Sequence, residues 1–308
     1  MNEFLASKTS SFKRTLKQMR LSTTSYLFIS PYMLIFAVFT LAPVLYSLYY
    51  GFTYYNILEP PKFIGFQNYL NLFLNDDIFL IAIKNTFVIA AITGPVGYLA
   101  SLIFAWFISE LPPKIRAIMV VIFYAPSISG SAYLIWSLIF SSDSYGYLNA
   151  MLINLGFISE PIQWFTNTKY MMLCVIIVML WMSLGSGFLS MVAGFQNMDK
   201  ALYEAGYVEG IRNRWQELWF ITIPQMRPQM MFSAVMSITS SFAVGDVTSM
   251  LCGFPSTDYA VHTIVNHMYD YGNVRFEMGY ACAISTVLFT TMLVLNSIIQ
   301  KALSKIGN

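Results

Sequence analysis

Charge is scarce in this chain. Asp, Glu, Lys and Arg make up 10% of its 308 residues, against about 25% in soluble globular domains, so a surface facing water on every side is excluded. Hydrophobic residues make up 57% and the mean hydropathy is +0.60, which sets the class as integral membrane protein. Cysteine is equally sparse: Cys174, Cys252 and Cys282 lie far apart without ligand or disulfide spacing and read as small apolar residues. The two histidines, His262 and His267, lack a clustered carboxylate or Cys and read as loop residues, not a metal site. Catalytic signatures are missing as well. No G-x-x-x-x-G-K-[ST], H-E-x-x-H or G-x-S-x-G occurs, and Gly94-Pro95-Val96-Gly97 lacks the Lys that would reach a phosphate. No catalytic residue, no metal ligand and no cofactor of its own is therefore expected.

What the chain has in quantity is long apolar runs. They fall at about 26–52, 78–108, 115–140, 171–195, 229–251 and 276–303, each long enough to cross roughly 30 Å of hydrocarbon at about 1.5 Å per residue. The expected fold is all-α: six transmembrane helices over residues 26–303, a basic N-terminal arm at 1–25 and a short tail at 304–308. The arm carries Lys8, Lys13, Arg14, Lys17 and Arg20 against Glu3 alone. Beside a membrane helix such an arm is an orientation signal and a contact for anionic lipid in preference to a nucleic-acid site. Lys114, Arg116, Lys200, Arg212, Arg214, Arg227, Lys301 and Lys305 fall on the same side as the arm, whereas the other side holds Glu59, Asp76, Asp77, Asp143, Glu160, Asp258 and Asp270, with Lys62, Lys84, Lys169 and Arg275 the basic residues on or near it. The positive-inside rule then puts both termini in the cytoplasm.

The loop from Asp199 to Pro228 is the one long polar island after the arm. Ala201 to Val208 suits a short amphipathic helix, Gly210 a left-handed stop, and Arg212 to Ile223 a second helix before Pro224 and Pro228. Its run Glu204-Ala205-Gly206-Tyr207-Val208-Glu209-Gly210, followed by Ile221-Thr222-Ile223-Pro224 and Arg227-Pro228, resembles the cytoplasmic EAA loop of ABC-importer permeases. It departs from that pattern at Gly206, where a second Ala is usual, and at Glu209, where Asp is usual; Gly206 is expected to loosen the short helix by roughly 1 kcal/mol relative to Ala. Phe63 to Tyr69 is similar to the F-x-G-x-x-N-Y segment of sugar-type permeases, and Met278 to Ala283 to the G-Y-A-x-A opening of their last helix. The resemblance covers nearly the whole chain and is strongest to the first permease of maltose- and glycerol-phosphate-like importers. It implies a second, homologous permease chain, two ATP-binding subunits carrying ATP and Mg, an extracytoplasmic solute-binding protein, a sugar cargo and a bacterial or archaeal cytoplasmic membrane. It also implies that Glu204, Ala205, Gly206, Glu209 and Gly210 couple the bundle to the ATPases.

Within the spans, Ser237, Ser240, Ser241 and Asp246 form a partly polar stripe with Ser233, suited to the hydroxyl side of a sugar path. Two readings are open for Asp246: a cavity-facing functional carboxylate, or a structural hydrogen bond to Thr248, Ser249 or a companion subunit. Ser183, Ser186, Gly187, Ser190 and Gly194 suit close helix packing above a substrate path. Pro43, Pro95 and Pro126 read as kinks, with Pro126 to Ser131 the most broken stretch. An ion-coupled secondary transporter is the alternative class. It predicts inverted repeats and several intramembrane charges, of which only Asp246 is present. A non-sugar cargo is the alternative within the importer class.

Overall fold

In the computed structural model, residues 22–304 are described; the arm up to residue 21 and the tail from 305 onward, Lys305 included, lie outside them. Among the described residues, five helices are long and apolar enough to cross a membrane: α1 (Thr23–Tyr50), Asp77–Ser109, Thr168–Gln196, Arg227–Cys252 and Met278–Leu303. The first begins three residues earlier than the apolar run suggested and contains a π-helical turn, Ala37–Leu41, directly before Pro43. No residue of α1 is buried, and its last turns alone lean on the final helix.

A two-stranded hairpin follows, β1 (Thr53–Tyr54) and β2 (Lys62–Phe63), antiparallel with Thr53 opposite Phe63. Asn68, at the start of α2 (Gln67–Leu74), fixes this hairpin by donating from its amide to the carbonyls of Gly51 and Thr53 at 3.0 and 2.9 Å. The longest helix is α3 (Asp77–Ser109), started by the Asp76 carboxylate, which accepts from the Phe79 N–H. Pro95 does not interrupt it.

The stretch expected as one span over 115–140 is instead two helices, α4 (Pro113–Ile128) and α5 (Leu134–Ile139), separated by a turn. Proline removes a backbone donor and Gly130 favours no helix, so the run around Pro126 to Ser131 ends the helix as well as bending it. After α6 (Tyr147–Asn154), the next span is also divided, into α7 (Thr168–Trp181) and α8 (Ser186–Gln196). The polar loop that follows α8 holds α9 (Lys200–Val208) and α10, which starts at Arg214–Glu217 and runs through a π turn at Leu218–Thr222 to Gln225. The expected span 229–251 is α11 (Arg227–Phe242) plus α12 (Asp246–Cys252), and α13 (Ile264–Tyr269) and α14 (Met278–Leu303) complete the chain.

At the centre α3, α8 and α11 pack against one another. An added Cβ at Gly187 would collide with Ser233, and one at Gly194 would press tightly on Gln229 and Met226, so these two glycines serve helix packing. One apolar cluster, around Leu102, Phe188, Met191 and Met226, sits at the end near α9 and α10. Another, around Leu72, Phe79, Ile264 and Ile284, sits at the opposite end.

Candidate functional site

Three helices break at one level of the bundle. The gaps at 129–133, 182–185 and 243–245 all open on one cavity of about 300 Å³. It is lined by hydroxyls from Thr93, Ser127, Ser129, Ser183, Ser237, Ser240 and Ser241, by Tyr133, Met179 and Met182, and by Asp246. Ser240 and Ser241 donate to carbonyls within their own helix at 3.1 and 3.0 Å, which leaves their oxygen lone pairs free to accept. Asp246 is exposed at the start of α12, and among the described residues its carboxylate has no hydrogen-bond partner. The structural alternative is thus not realised within this chain: Thr248 and Ser249 turn to Asn266 instead. Ser233, the fifth member of the stripe, is fully buried against α8 and lies outside the cavity.

The 243–245 gap is a built feature. The Asn266 amide donates to the Gly245 carbonyl at 3.0 Å, and the Thr263 hydroxyl donates to the Val244 carbonyl at 2.6 Å. Thr263 and Asn266 also form the capping box of α13, so one helix start both meets its own backbone need and satisfies the interrupted helix beside it. Nothing in the local sequence of 243–245 beyond Gly245 announces this support. A cavity with seven hydroxyls, one free carboxylate, an aromatic ring and no Lys or Arg suits an uncharged, hydroxyl-rich molecule, whose OH groups donate to the carboxylate and exchange hydrogen bonds with the serines.

At one end of the bundle the predicted α9 is present, with its N-terminus capped by Asp199 accepting from the Ala201 N–H at 2.9 Å. Glu204, Ala205 and Glu209 are exposed, and Val208 beside them is 90% exposed. Gly210 has φ +98°, the left-handed conformation expected of it. Gly206 has a second role that its helix propensity hides. It is buried, and a Cβ there would stand 2.6 Å from the Ile221 side chain; lacking one, α9 seats directly on α10. Sequence reasoning missed Glu217, read as part of a polar island yet 4% exposed. It accepts from the Tyr207 hydroxyl at 2.6 Å and from Arg214 at 3.0 Å.

At the opposite end the histidines prove not to be isolated. His267 Nε2 lies 3.0 Å from Asp76 Oδ2, and His262 Nε2 lies 3.3 Å from His267 Nδ1. Tyr280 and Tyr271 donate to the same Asp76 oxygen at 2.9 and 3.4 Å. The expectation that they lack a carboxylate partner is corrected: the partner comes from 191 residues earlier in the chain, which no local spacing displays. Burial raises the Asp76 carboxyl, but His267, the Phe79 N–H and Tyr280 outweigh it and hold the group at about 2. Burial, reinforced by His267, pushes His262 down to about 4. Among the described residues no grouping of His, Cys, Asp and Glu could hold a metal ion.

Broken helices meeting at a polar cavity, inside a bundle of membrane-crossing length, define a polytopic transport permease. Residues 86–305 match the binding-protein-dependent transport system inner membrane component, and the chain belongs to that family. It is 31% identical to a probable ABC transporter permease protein, YesP, of Bacillus subtilis (strain 168), over 91% of this chain and 90% of the relative. It is 30% identical to the arabinooligosaccharides transport system permease protein AraP of the same organism, over 90% and 87%. The lactose transport system permease protein LacF of Rhizobium radiobacter is 28% identical over 88% and 91%. Among solved structures, a chain of a bacterial ABC transporter involved in import of the acidic polysaccharide alginate superposes with a TM-score of 0.74 at 23% identity, covering 96% of this chain and 100% of that one.

Proposed function

We propose that this permease forms half of the translocation path of an ATP-driven importer for an uncharged sugar or oligosaccharide. The observation that carries it is the cavity itself: three interrupted helices around hydroxyls and the free Asp246 carboxylate, with no basic side chain. The relatives AraP and LacF, named for arabinooligosaccharides and lactose, support a carbohydrate cargo, and an alginate transporter of the same fold has been crystallised with its pentasaccharide-bound periplasmic protein. ATP and Mg belong to two partner ATPases, the missing wall of the path to a second permease chain, and cargo delivery to an extracytoplasmic binding protein. The six-span topology places 115–140 as a crossing made of α4 and α5, with both termini and α9 in the cytoplasm. Glu204, Ala205, Glu209 and Gly210 present α9 to an ATPase, and ATPase closure rocks the bundle between outward- and inward-facing states.

The test is affinity purification of the tagged chain in mild detergent, followed by ATPase assay and uptake of labelled oligosaccharides by intact cells. A second permease and an ATPase should co-purify. Asp246→Asn should leave that assembly intact and lower uptake by about tenfold, the consequence of losing a charged hydrogen-bond partner. A lone chain, under conditions that preserve such complexes, would overturn the reading.

A further inference from the structure

The contacts beneath α9 form a continuous chain. Tyr207 is exposed at its ring, yet its hydroxyl reaches one oxygen of buried Glu217 at 2.6 Å. The other Glu217 oxygen takes Arg214 at 3.0 Å. Arg214 in turn lies 3.8 Å from the carboxylate of Glu110, the residue that caps the end of α3. That helix runs unbroken to Thr93 and Gly97 in the cavity wall. The buried Glu217 carboxylate, with both oxygens engaged, has a steep cost for losing either partner, so the Tyr207–Glu217–Arg214 part holds one geometry. The last step, Arg214 to Glu110, is an ion pair whose side chains are 63% and 43% exposed. A second strut runs parallel: Tyr203 and Thr222 share a hydrogen bond at 2.9 Å.

We propose that Glu217 is a positioning residue that locks the cytoplasmic helix α9 to the bundle, and that the Tyr207–Glu217–Arg214–Glu110 chain delivers displacement of α9 to the inner end of α3. This rests on the reading of α9 as the ATPase contact. Displacement of α9 then reaches the cavity through a rigid 33-residue helix, and the interfaces between them have one seated arrangement to defend. Without the lock, α9 moves with the ATPase while α3 stays behind, so ATP is hydrolysed without cargo moving.

The experiment uses the complete importer in proteoliposomes, measuring labelled solute transported and ATP hydrolysed in the same samples. Glu217→Ala and Tyr207→Phe should each lower solute per ATP about threefold or more, with the ATPase still bound in full stoichiometry and ATP turnover retained. The double variant should be no worse than the more impaired single one, because both break the same link. Glu217→Gln keeps an acceptor for Tyr207 but turns an amide NH2 toward Arg214, so it should restore only part of the ratio. If Glu217→Ala fails to assemble, Tyr207→Phe decides, since it removes one hydroxyl from an exposed ring. An unchanged ratio in Tyr207→Phe, or additive losses in the double variant, would overturn the lock while leaving the importer intact. A wild-type chain that binds no ATPase would overturn both.

Discussion

At the scale of single residues, Gly206 shows how a position disfavoured by local propensity is favoured by packing. Its helix cost of roughly 1 kcal/mol relative to Ala is incurred on α9 alone, while the close seat on Ile221 joins two helices. Gly206→Ala should be tolerated with a small shift of the Ile221 methyl. Gly206→Val should destabilise by about 1–3 kcal/mol through overpacking, seen as a lower thermal midpoint in detergent and loss of the co-purified ATPase. Glu217 teaches the converse. Glutamate in a run of polar residues reads as solvated, and only the folded positions of Tyr207 and Arg214 make its burial affordable.

At the scale of elements, the turn after α9 depends on a conformation that proline cannot adopt, since its ring fixes φ near about −65°. Gly210, at φ +98°, should therefore not accept proline: Gly210→Pro should uncouple or disassemble the complex, read as ATPase lost from the purified chain. The clasp joins the start of α3 to the last turn of α13 and the start of α14 through Asp76. Its carboxyl lies below its ordinary 3.8, at about 2, so the folded state binds fewer protons than the unfolded one across that interval. The resulting stability, about 2 kcal/mol at about 1.4 kcal/mol per unit, is fully present above pH 4 and lost as pH falls through 2. Asp76→Asn should therefore melt lower than wild type at pH 7, with the two converging in acid. Much of this architecture was legible. The apolar runs locate every long helix, and Asp199 and Gly210 bound α9 as expected, whereas Pro224 does not end the second helix, which runs on to Gln225, and Pro228 sits in the first turn of α11. The division of 229–251 was not legible, because Ala243-Val244-Gly245 is an unremarkable apolar triplet and its support, Thr263 and Asn266, comes from a different element. The stripe Ser237, Ser240, Ser241 and Asp246 was found by periodicity, whereas Thr93, Ser127 and Tyr133 come from other helices and join it only in the fold.

At the scale of the whole molecule, the exposed apolar surface is extensive: Leu27, Phe28, Phe39, Val121 and Ile298 all stand more than half exposed. Under the proposed function this surface would face lipid and, along the open side of the path, the second permease. The proposed topology makes a direct prediction with membrane-impermeant maleimide on single-cysteine variants. Cysteine at Glu209 should label only from the cytoplasmic side, and cysteine at Tyr145, 90% exposed, only from outside. Cys174 and Cys252 are buried and should stay silent.

The Asp76 clasp also imposes an order in time. Its carboxylate leaves the ribosome 191 residues ahead of His267, which at about 5–20 residues per second is a wait of roughly 10 to 40 s. Throughout that interval α3 is already synthesised while the partners that hold its Asp76 end do not yet exist. Asp76 stays without them for that time, and closing on His267 and Tyr280 becomes a late step in the chain's assembly.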